Sequence, residues 1–298
     1  MGYSCKILKD SITERGCRLT TMEVTFPRIV LAEFNTHRMF SRNSASSRAI
    51  PVAKMLARVK EDPFFPIYWG KNQKGMQASE ELSPEAKAMA RENWRLARDV
   101  AVSVVSRLQE EDIDLHKQIA NRLLEPFLWH TVIVTATDWG NFFALRAHKD
   151  AMPEIRRIAE MMREAYEDPH RKPSQAAQGY WHLPLVYDDA GQPRFPDDIK
   201  DAEAIQKEND VPWLQTLVKV SCGRCARVSY LTHDGKRSIQ DDIQLYDRLR
   251  TSGHMSPLEH AARPMSDAEW KASAYSGNFR GWVQHRKEIP NEGVFQPV

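Results

Sequence analysis

The sequence has 298 residues, 42% of them hydrophobic and 28% charged, which is typical of a folded globular protein and not of a disordered or fibrous one. Its 42 Lys and Arg residues nearly balance its 40 Asp and Glu residues, and a formal charge of +2 excludes a broad basic coat for nucleic acid. No apolar run approaches the roughly 18 residues of a membrane helix, and residues 1–10 contain no apolar signal core. We therefore expect a cytoplasmic protein.

The first elements that the sequence predicts are a β-hairpin and a helix. Residues 4–27 form alternating apolar and polar runs separated by turn residues, which is the pattern of a hairpin. Pro27 suits the first turn of a helix, and we expect that helix to continue to Phe40. Proline and glycine recur between residues 41 and 82, so we expect this stretch to be irregular.

Two longer helices and a strand are predicted next. Ser83 can cap a helix that Pro84 begins, and its apolar residues recur on one face at Ala90, Trp94, Ala97, Ala101, Val104 and Leu108. Residues 129–137 are apolar and β-branched, which indicates a buried strand. A second helix is expected to begin near Pro153 and to direct four side chains toward the core, namely Ile155, Ile158, Met162 and Ala165.

The last third of the chain begins with a proline-rich stretch. Residues 169–212 contain six of the 17 prolines, and we expect a linker or a surface excursion there. Order resumes afterwards, because Ser238 and Asp241 resemble a capping box and Gly253 marks the end of a helix. Residues 1–168 and 213–298 are therefore predicted to form one core.

Common catalytic and metal-binding motifs are missing. The sequence contains no glycine-rich nucleotide loop, no His-Glu-x-x-His and no Gly-x-Ser-x-Gly. Cys222 and Cys225 have the spacing of half a zinc site, but the eleven residues between Cys5 and Cys17 do not suit the other half. We expect buried thiols and no metal site.

The densest polar feature is THRMFSRNSASSRAIP, residues 36–51, which combines arginines with serine hydroxyls. Guanidinium groups bind phosphate oxygens at two points, and hydroxyls and backbone N–H groups can complete such an anion site. The alternative is a solvated polar loop. We favour the anion site because no acidic residue follows Glu33 within this segment.

Four blocks of the sequence resemble those of the flavin-dependent thymidylate synthases. The family's His-Arg-x-x-Ser-x-Asn-x-x-Ser-x-Arg signature is matched at His37, Arg38, Ser41, Asn43, Ser46 and Arg48. Residues 141–159 resemble the family's Asn-Phe-x-x-Leu-Arg block, which places Arg146 at its arginine. CARVSY (225–230) and GHMSPLEH (253–260) resemble two further blocks.

The order of these blocks and three positions differ from the family pattern. The last two blocks usually precede the signature, so the sequence looks circularly permuted, with 169–212 bridging the former ends. Glu33, Thr36 and Ser44 stand where Gln, Arg and Glu are usual. We expect residues 277–287 to compensate through Gln284, His285 and Arg286.

The resemblance implies an α+β fold with a twisted, mostly antiparallel sheet packed with helices, in a homotetramer with sites between subunits. It implies transfer of a one-carbon unit from 5,10-methylenetetrahydrofolate to C5 of dUMP, with FADH2 as hydride donor and NADPH as reductant, giving dTMP. The implied flavin contacts are His37, Arg38, Met39, Asn141, Ser229 and Ser256, together with Thr135 and Thr137. The implied nucleotide contacts are Ser44, Ala45, Ser46, Ser47, Arg48, Arg122 and Arg146, and Arg146 is also the implied catalytic residue.

Other functions remain open. One is a related flavin-dependent methylase or hydroxymethylase that acts on dUMP or dCMP, and another is a flavin- or nucleotide-binding homologue without catalysis. A single-stranded nucleic-acid binder that uses the Arg/Ser segment and the eight Trp residues is disfavoured by the near-neutral charge. Covalent catalysis by Cys222 or Cys225 is not expected, because neither lies near the signature in sequence.

Overall fold

The computed structural model describes residues 2–75, 77–188, 190–235, 237–290 and 292–293. The strands are Ser4–Thr13 (β1), Arg18–Pro27 (β2), Ser41–Ser44 (β3), Trp129–Ala136 (β4), Ser174–Ala176 (β5), Ala262–Pro264 (β6), Tyr275–Ser276 (β7), Phe279–Arg280 (β8) and Trp282–Gln284 (β9). The α-helices are Leu31–Phe34 (α1), Val52–Glu61 (α2), Pro84–Arg107 (α3), Lys117–Ala120 (α4), Gly140–Arg146 (α5), Pro153–Glu167 (α6), Asp197–Asn209 (α7), Trp213–Ala226 (α8), Ile239–Thr251 (α9) and Asp267–Ala272 (α10). Short 3-10 helices cover Arg28–Val30, Asn121–Phe127, Arg227–Tyr230, Ser256–Glu259 and His285–Glu288. Within the described residues, no helix is both long and apolar enough to cross a membrane.

The main sheet has the strand order β3-β4-β2-β1-β5. The predicted hairpin is confirmed as β1 and β2, and the predicted strand at 129–137 is confirmed as β4. β4 pairs antiparallel with β2 and with β3, whereas β5 lies parallel to β1. The sheet is therefore mostly antiparallel, and with the helices that cover it the fold is α+β, as expected.

One face of the sheet packs on α6. The alternation of β2 and β4 directs Met22 and Val24, together with Val132 and Val134, into one apolar cluster. Ile155, Ile158 and Met162 of α6 are fully buried in the same cluster, and Ala165 packs against it, so the predicted inner face of this helix is confirmed. Aromatic rings of α1 and α5 extend the cluster to the strand edge formed by β3.

On the opposite face of the sheet, Leu8 of β1 and Ile133 of β4 share an apolar cluster with Cys225 at the end of α8 and with Val228 of the 3-10 helix that follows it. α9 packs on α8. A Cβ atom added at Gly223 of α8 would lie 2.5 Å from the carbonyl oxygen of Asp242 in α9, so the glycine permits the close approach of these helices. Cys222 and Cys225 are fully buried on α8, and burial raises the pKa of both thiols well above the usual range. None of the four cysteines, all of which the structure describes, forms a disulfide. The described residues include no group of three potential ligands that could hold a metal ion.

Three sequence-based expectations differ from the structure. The helix after Pro27 ends at Phe34 and not at Phe40, because the N–H groups of Thr36 and His37 turn back onto the carbonyls of Glu33 and Phe34. Residues 41–82 contain β3 and α2 and are not irregular throughout. On α3, whose start at Pro84 and capping Ser83 are confirmed, the expected inner residues Ala97 and Val104 are exposed.

The proline-rich stretch 169–212 also contributes to the interior. Leu183, Leu185 and Val186 are buried, and α7 packs against α8. Asp198 of α7 accepts two hydrogen bonds from the buried guanidinium of Arg224, at 2.7 and 3.0 Å. Part of this stretch is thus core and not surface. The division of the chain into three segments stays a prediction.

Candidate active site at strand β3

The separate motif blocks meet at β3. This strand is the centre of the signature, and its residues pair with β4 in the register Ser41 to Thr135 and Asn43 to Ile133. The backbone N–H of Ser46 donates to the carbonyl of Ser229 in the CARVSY block (3.1 Å), and the 3-10 helix Ser256–Glu259 of the GHMSPLEH block packs against β3. Blocks that are far apart in sequence are therefore neighbours in the fold.

Arg146 lies at the C-terminal end of α5, beside the turn that precedes β3. Its Nε donates to Nε2 of His37 (3.0 Å), its Nη2 donates to Oγ1 of Thr36 (3.4 Å), and its Nη1 forms an ion pair with Glu33. Arg146 also lines an open cleft of about 770 Å³. Its apolar lining includes Leu145 and Met152, and its other lining residues are Glu33, Gln77, Ala144, His148, Asp150 and Ala151. The structure thus brings Arg146 together with His37 of the signature, at a surface that a ligand can reach.

His37 is held neutral beside this arginine. Burial, the charge of Arg146 and the charge of Arg42 lower the pKa of His37 to about 4. The imidazole also packs edge-to-face on Phe142, with ring centroids 4.9 Å apart. At neutral pH its Nε2 is therefore an acceptor for Arg146, which requires the tautomer that carries the proton on Nδ1.

The remaining predicted nucleotide contacts lie past the other end of β3. Ser47 Oγ and Arg122 Nη1 both donate to Oε1 of Glu125, at 2.8 and 2.7 Å, so Arg122 is adjacent to the segment Ser44–Arg48. Arg48 is exposed and has no hydrogen bond or ion pair within the part of the chain that the structure describes. In a single chain the predicted nucleotide contacts therefore form two groups, one around Arg146 and one around Arg48 and Arg122.

The residues predicted to contact flavin differ in their accessibility. Arg38, Asn141 and Ser256 are exposed, whereas Met39 and Ser229 are partly buried and His37 is buried. The Thr135 hydroxyl is fully buried and bonds to Thr21 Oγ1 (2.7 Å) and His260 Nδ1 (2.8 Å). The Thr137 hydroxyl accepts from the backbone N–H of Arg280 (3.0 Å) and donates to Asp138. Both threonine hydroxyls are thus engaged by protein groups.

A buried polar network crosses β1, β2 and β4, and the sequence reasoning missed it. His182 bonds through Nδ1 to Ser11 and through Nε2 to Thr21, each at 2.8 Å, and Thr21 continues through Thr135 to His260. Burial lowers the pKa of His260 to about 3 and that of His182 well below its usual value. The sequence did carry one signal, because Thr21 and Thr25 in β2, and Thr131 and Thr135 in β4, are four residues apart and therefore lie on one face of each strand.

The expected compensating segment reaches the signature through one of its three residues. Gln284 is buried and its Nε2 donates to Oδ1 of Asn278 (2.6 Å) and to Ser41 Oγ (3.3 Å). Arg286 instead forms ion pairs with Glu259 and Glu292, and the His285 ring bonds to Tyr246. The prediction that this segment replaces the Gln and Arg side chains that are absent at Glu33 and Thr36 stays a prediction.

Comparison with known proteins assigns the chain to a family. Residues 18–170, just over half of the chain, match a family model described as thymidylate synthase complementing protein. The chain belongs to this family. The match includes the signature and the Arg146 block, whereas CARVSY and GHMSPLEH lie outside it, so the circular permutation stays a prediction.

Solved structures with similarity to this family member include two kinds of enzyme. The UMP/dUMP methylase PolB from Streptomyces cacaoi, bound with 5-Br dUMP, is 16% identical and aligns over 55% of this chain and 89% of its own, with a TM-score of 0.45. The flavin-dependent thymidylate synthase ThyX from Helicobacter pylori, complexed with FAD and dUMP, is 18% identical and aligns over 50% of this chain and 67% of its own, with a TM-score of 0.35. A search of curated proteins finds no match.

Proposed function

We propose that this protein is a flavin-dependent thymidylate synthase, which transfers the one-carbon unit of 5,10-methylenetetrahydrofolate to C5 of dUMP and gives dTMP. Membership of the thymidylate synthase complementing family supports this proposal. The observation that carries it is the placement of Arg146, which borders an open cleft and is held against neutral His37 of the signature.

Arg146 would activate the pyrimidine. Uracil is a poor carbon nucleophile at C5 until negative charge builds on its N3–C4 amide and on O2. A guanidinium placed against that edge stabilises this charge without giving up a proton, because arginine side chains stay protonated in proteins. Phe142 and Phe143 of the same helix are buried next to it, and by excluding water they would strengthen the interaction.

The residues present are compatible with a flavin dinucleotide. Its pyrophosphate needs cationic and hydroxyl donors, and Arg38 and Ser256 are exposed, as is the amide of Asn141. Arg38 has no ion pair within the described residues, so its charge is available to an anion. We propose that these residues hold FAD, which when bound and reduced by NADPH would supply the hydride.

We also propose that the active form is a homotetramer with sites between subunits. Support comes from the division of the expected nucleotide contacts into two groups beyond opposite ends of β3. A second copy of the chain would allow Arg146 of one subunit and the Arg48 segment of another to contact the same nucleotide. Light scattering on the purified protein tests the tetramer, and a monomer that is fully active would contradict it.

The reaction is tested by incubating the purified protein with NADPH, 5,10-methylenetetrahydrofolate and either dUMP or dCMP, followed by mass analysis of the nucleotide. We expect released flavin on heating and dTMP from dUMP. A product carrying a hydroxymethyl group, or a product from dCMP, would instead support the related methylase or hydroxymethylase. Flavin that NADPH reduces, without any nucleotide product, would support a non-catalytic homologue. Failure to retain flavin even after incubation with excess FAD would contradict the proposal.

A further inference from the structure

The guanidinium of Arg146 is held on all of its nitrogens by a single short segment. Residues 33–37 provide one acceptor each for Nε, Nη1 and Nη2, namely His37 Nε2, the Glu33 carboxylate and Thr36 Oγ1. Two of these acceptors, Glu33 and Thr36, are the positions where the chain differs from the usual Gln and Arg of the signature. The differences therefore coincide with the contacts to one side chain.

Each hydrogen bond between Arg146 and residues 33–37 has a donor and an acceptor in the required protonation state. The Thr36 hydroxyl uses its single proton to donate to the carbonyl of Glu33 (2.7 Å), so its lone pairs remain to accept from Arg146. Glu33 when ionised can only accept, and neutral His37 accepts at Nε2. Three of the five N–H donors of Arg146 are engaged by these residues, which leaves two for a ligand within the described structure.

The backbone of the segment is itself fixed. α1 ends at Phe34, and the N–H of Thr36 donates to the carbonyl of Glu33 (3.1 Å), which sets both side chains on the side that faces Arg146. The side chains of Arg146 and Glu33 are 21% and 29% exposed, so the pair is partly desolvated and yet reachable from the cleft. An arginine that is oriented before its ligand arrives loses less conformational freedom when the ligand binds.

We infer that Glu33 and Thr36 are positioning residues, which fix the orientation of the Arg146 guanidinium at the edge of the cleft. The inference rests on the proposed function only for the consequence to catalysis. Glu33 contributes a negative charge that fixes Nη1, and Thr36 accepts a hydrogen bond from Nη2. Their role is exerted through Arg146, so it can be measured on Arg146 without any turnover.

The experiment compares Glu33→Ala, Glu33→Gln and Thr36→Val with the wild type, and Glu92→Ala is the matched control, because Glu92 pairs with Arg95 on the exposed side of α3. Limited modification by phenylglyoxal is followed at each arginine by peptide mass mapping. Release of a partly exposed ion pair should accelerate modification of Arg146 about fivefold in Glu33→Ala. Glu33→Gln and Thr36→Val should give smaller increases, and Glu92→Ala should change only Arg95.

Turnover supplies the second measurement. A positioning role predicts that kcat for one-carbon transfer falls about tenfold in Glu33→Ala while KM for the nucleotide changes less than about threefold, with partial rescue in Glu33→Gln. Unchanged modification of Arg146 in both Glu33→Gln and Thr36→Val would overturn the inference, even if Glu33→Ala fails to fold. Faster modification with unchanged kcat would support the positioning contacts and overturn the catalytic role of Arg146 in the proposed function.

Discussion

Replacement of Arg146 is the most direct perturbation of the candidate site. Arg146→Ala removes a partly buried cation together with its contacts to Glu33, Thr36 and His37. Loss of a preorganised group that stabilises developing charge costs about 3 kcal/mol of barrier or more, which is roughly a hundredfold in rate. We therefore expect one-carbon transfer to fall by about that factor.

Arg146→Lys tests whether the positive charge alone is sufficient or whether the planar guanidinium group is needed. The three acceptors around Arg146 are reached from three different nitrogens, and the single ammonium of lysine cannot meet all of them. Lysine should therefore restore little of the rate, although it keeps the positive charge. Arg156→Ala is the matched control, because Arg156 is a half-exposed arginine of α6 that is paired with Glu160.

The assay is the single-turnover oxidation of reduced flavin in the presence of dUMP and the folate, measured for the wild type and for the three variants. Reduction of flavin by NADPH should survive in all of them, whereas transfer should collapse only when Arg146 is changed. Transfer at a near wild-type rate in Arg146→Ala would refute the reasoning, and it would leave Arg48 and Arg122 as the remaining arginine candidates.

Three further predictions concern the surroundings of the site. Because the pKa of His37 is lowered from 6.5 to about 4, its contribution to stability is complete above pH 6.5 and is lost as the pH falls toward 4. In urea titrations at pH 7, 6 and 5, the free energy of unfolding should therefore fall more steeply with decreasing pH in the wild type than in His37→Gln. Equal pH dependence in the two proteins would contradict the lowered pKa of His37. Gln284→Ala removes a buried amide bonded to Ser41 and should weaken nucleotide and flavin binding by about 1–2 kcal/mol. Equilibrium dialysis should show a smaller effect for Arg286→Ala. A larger effect for Arg286→Ala would contradict a role for Gln284 as the residue of this segment that supports the signature. Arg224→Ala leaves the buried carboxylate of Asp198 without its cation, whereas Asp242 keeps Arg227 as a partner, and it should lower the free energy of unfolding by about 3–5 kcal/mol in urea titrations. A loss below about 1 kcal/mol would show that the Arg224 ion pairs are not important for stability.

Much of the local structure followed from periodicity and capping. The hairpin, β4 and the inner face of α6 were predictable because each depends on the spacing of apolar residues within one segment. The caps at Ser83 and Ser238 were predictable for the same reason, since a capping side chain bonds to a backbone N–H only three residues away. The arginine and serine content of residues 36–51 predicts an anion site, and this site stays a prediction.

The length of α1 and the burial of part of residues 169–212 depend on contacts with residues that are distant in sequence. α1 stops at Phe34 because the chain must turn to add β3 to the edge of β4. The proline-rich stretch enters the core because Asp198 meets Arg224, and because His182 completes the hydrogen bonds of Ser11 and Thr21 behind the sheet. No local pattern specifies such pairs.

The sequence by itself determined which residue types the candidate site has, and only the tertiary structure decided which of them lie in contact. Arg146 and His37 are 109 positions apart, and their contact exists because the end of α5 and the turn after α1 are both packed on one aromatic cluster. The same packing places Arg122 beyond the other end of β3, although the sequence grouped it with Arg146. Hydrophobic patterning sets which face of an element is buried, but hydrogen-bond geometry between distant side chains is set only when the sheet order brings them within reach.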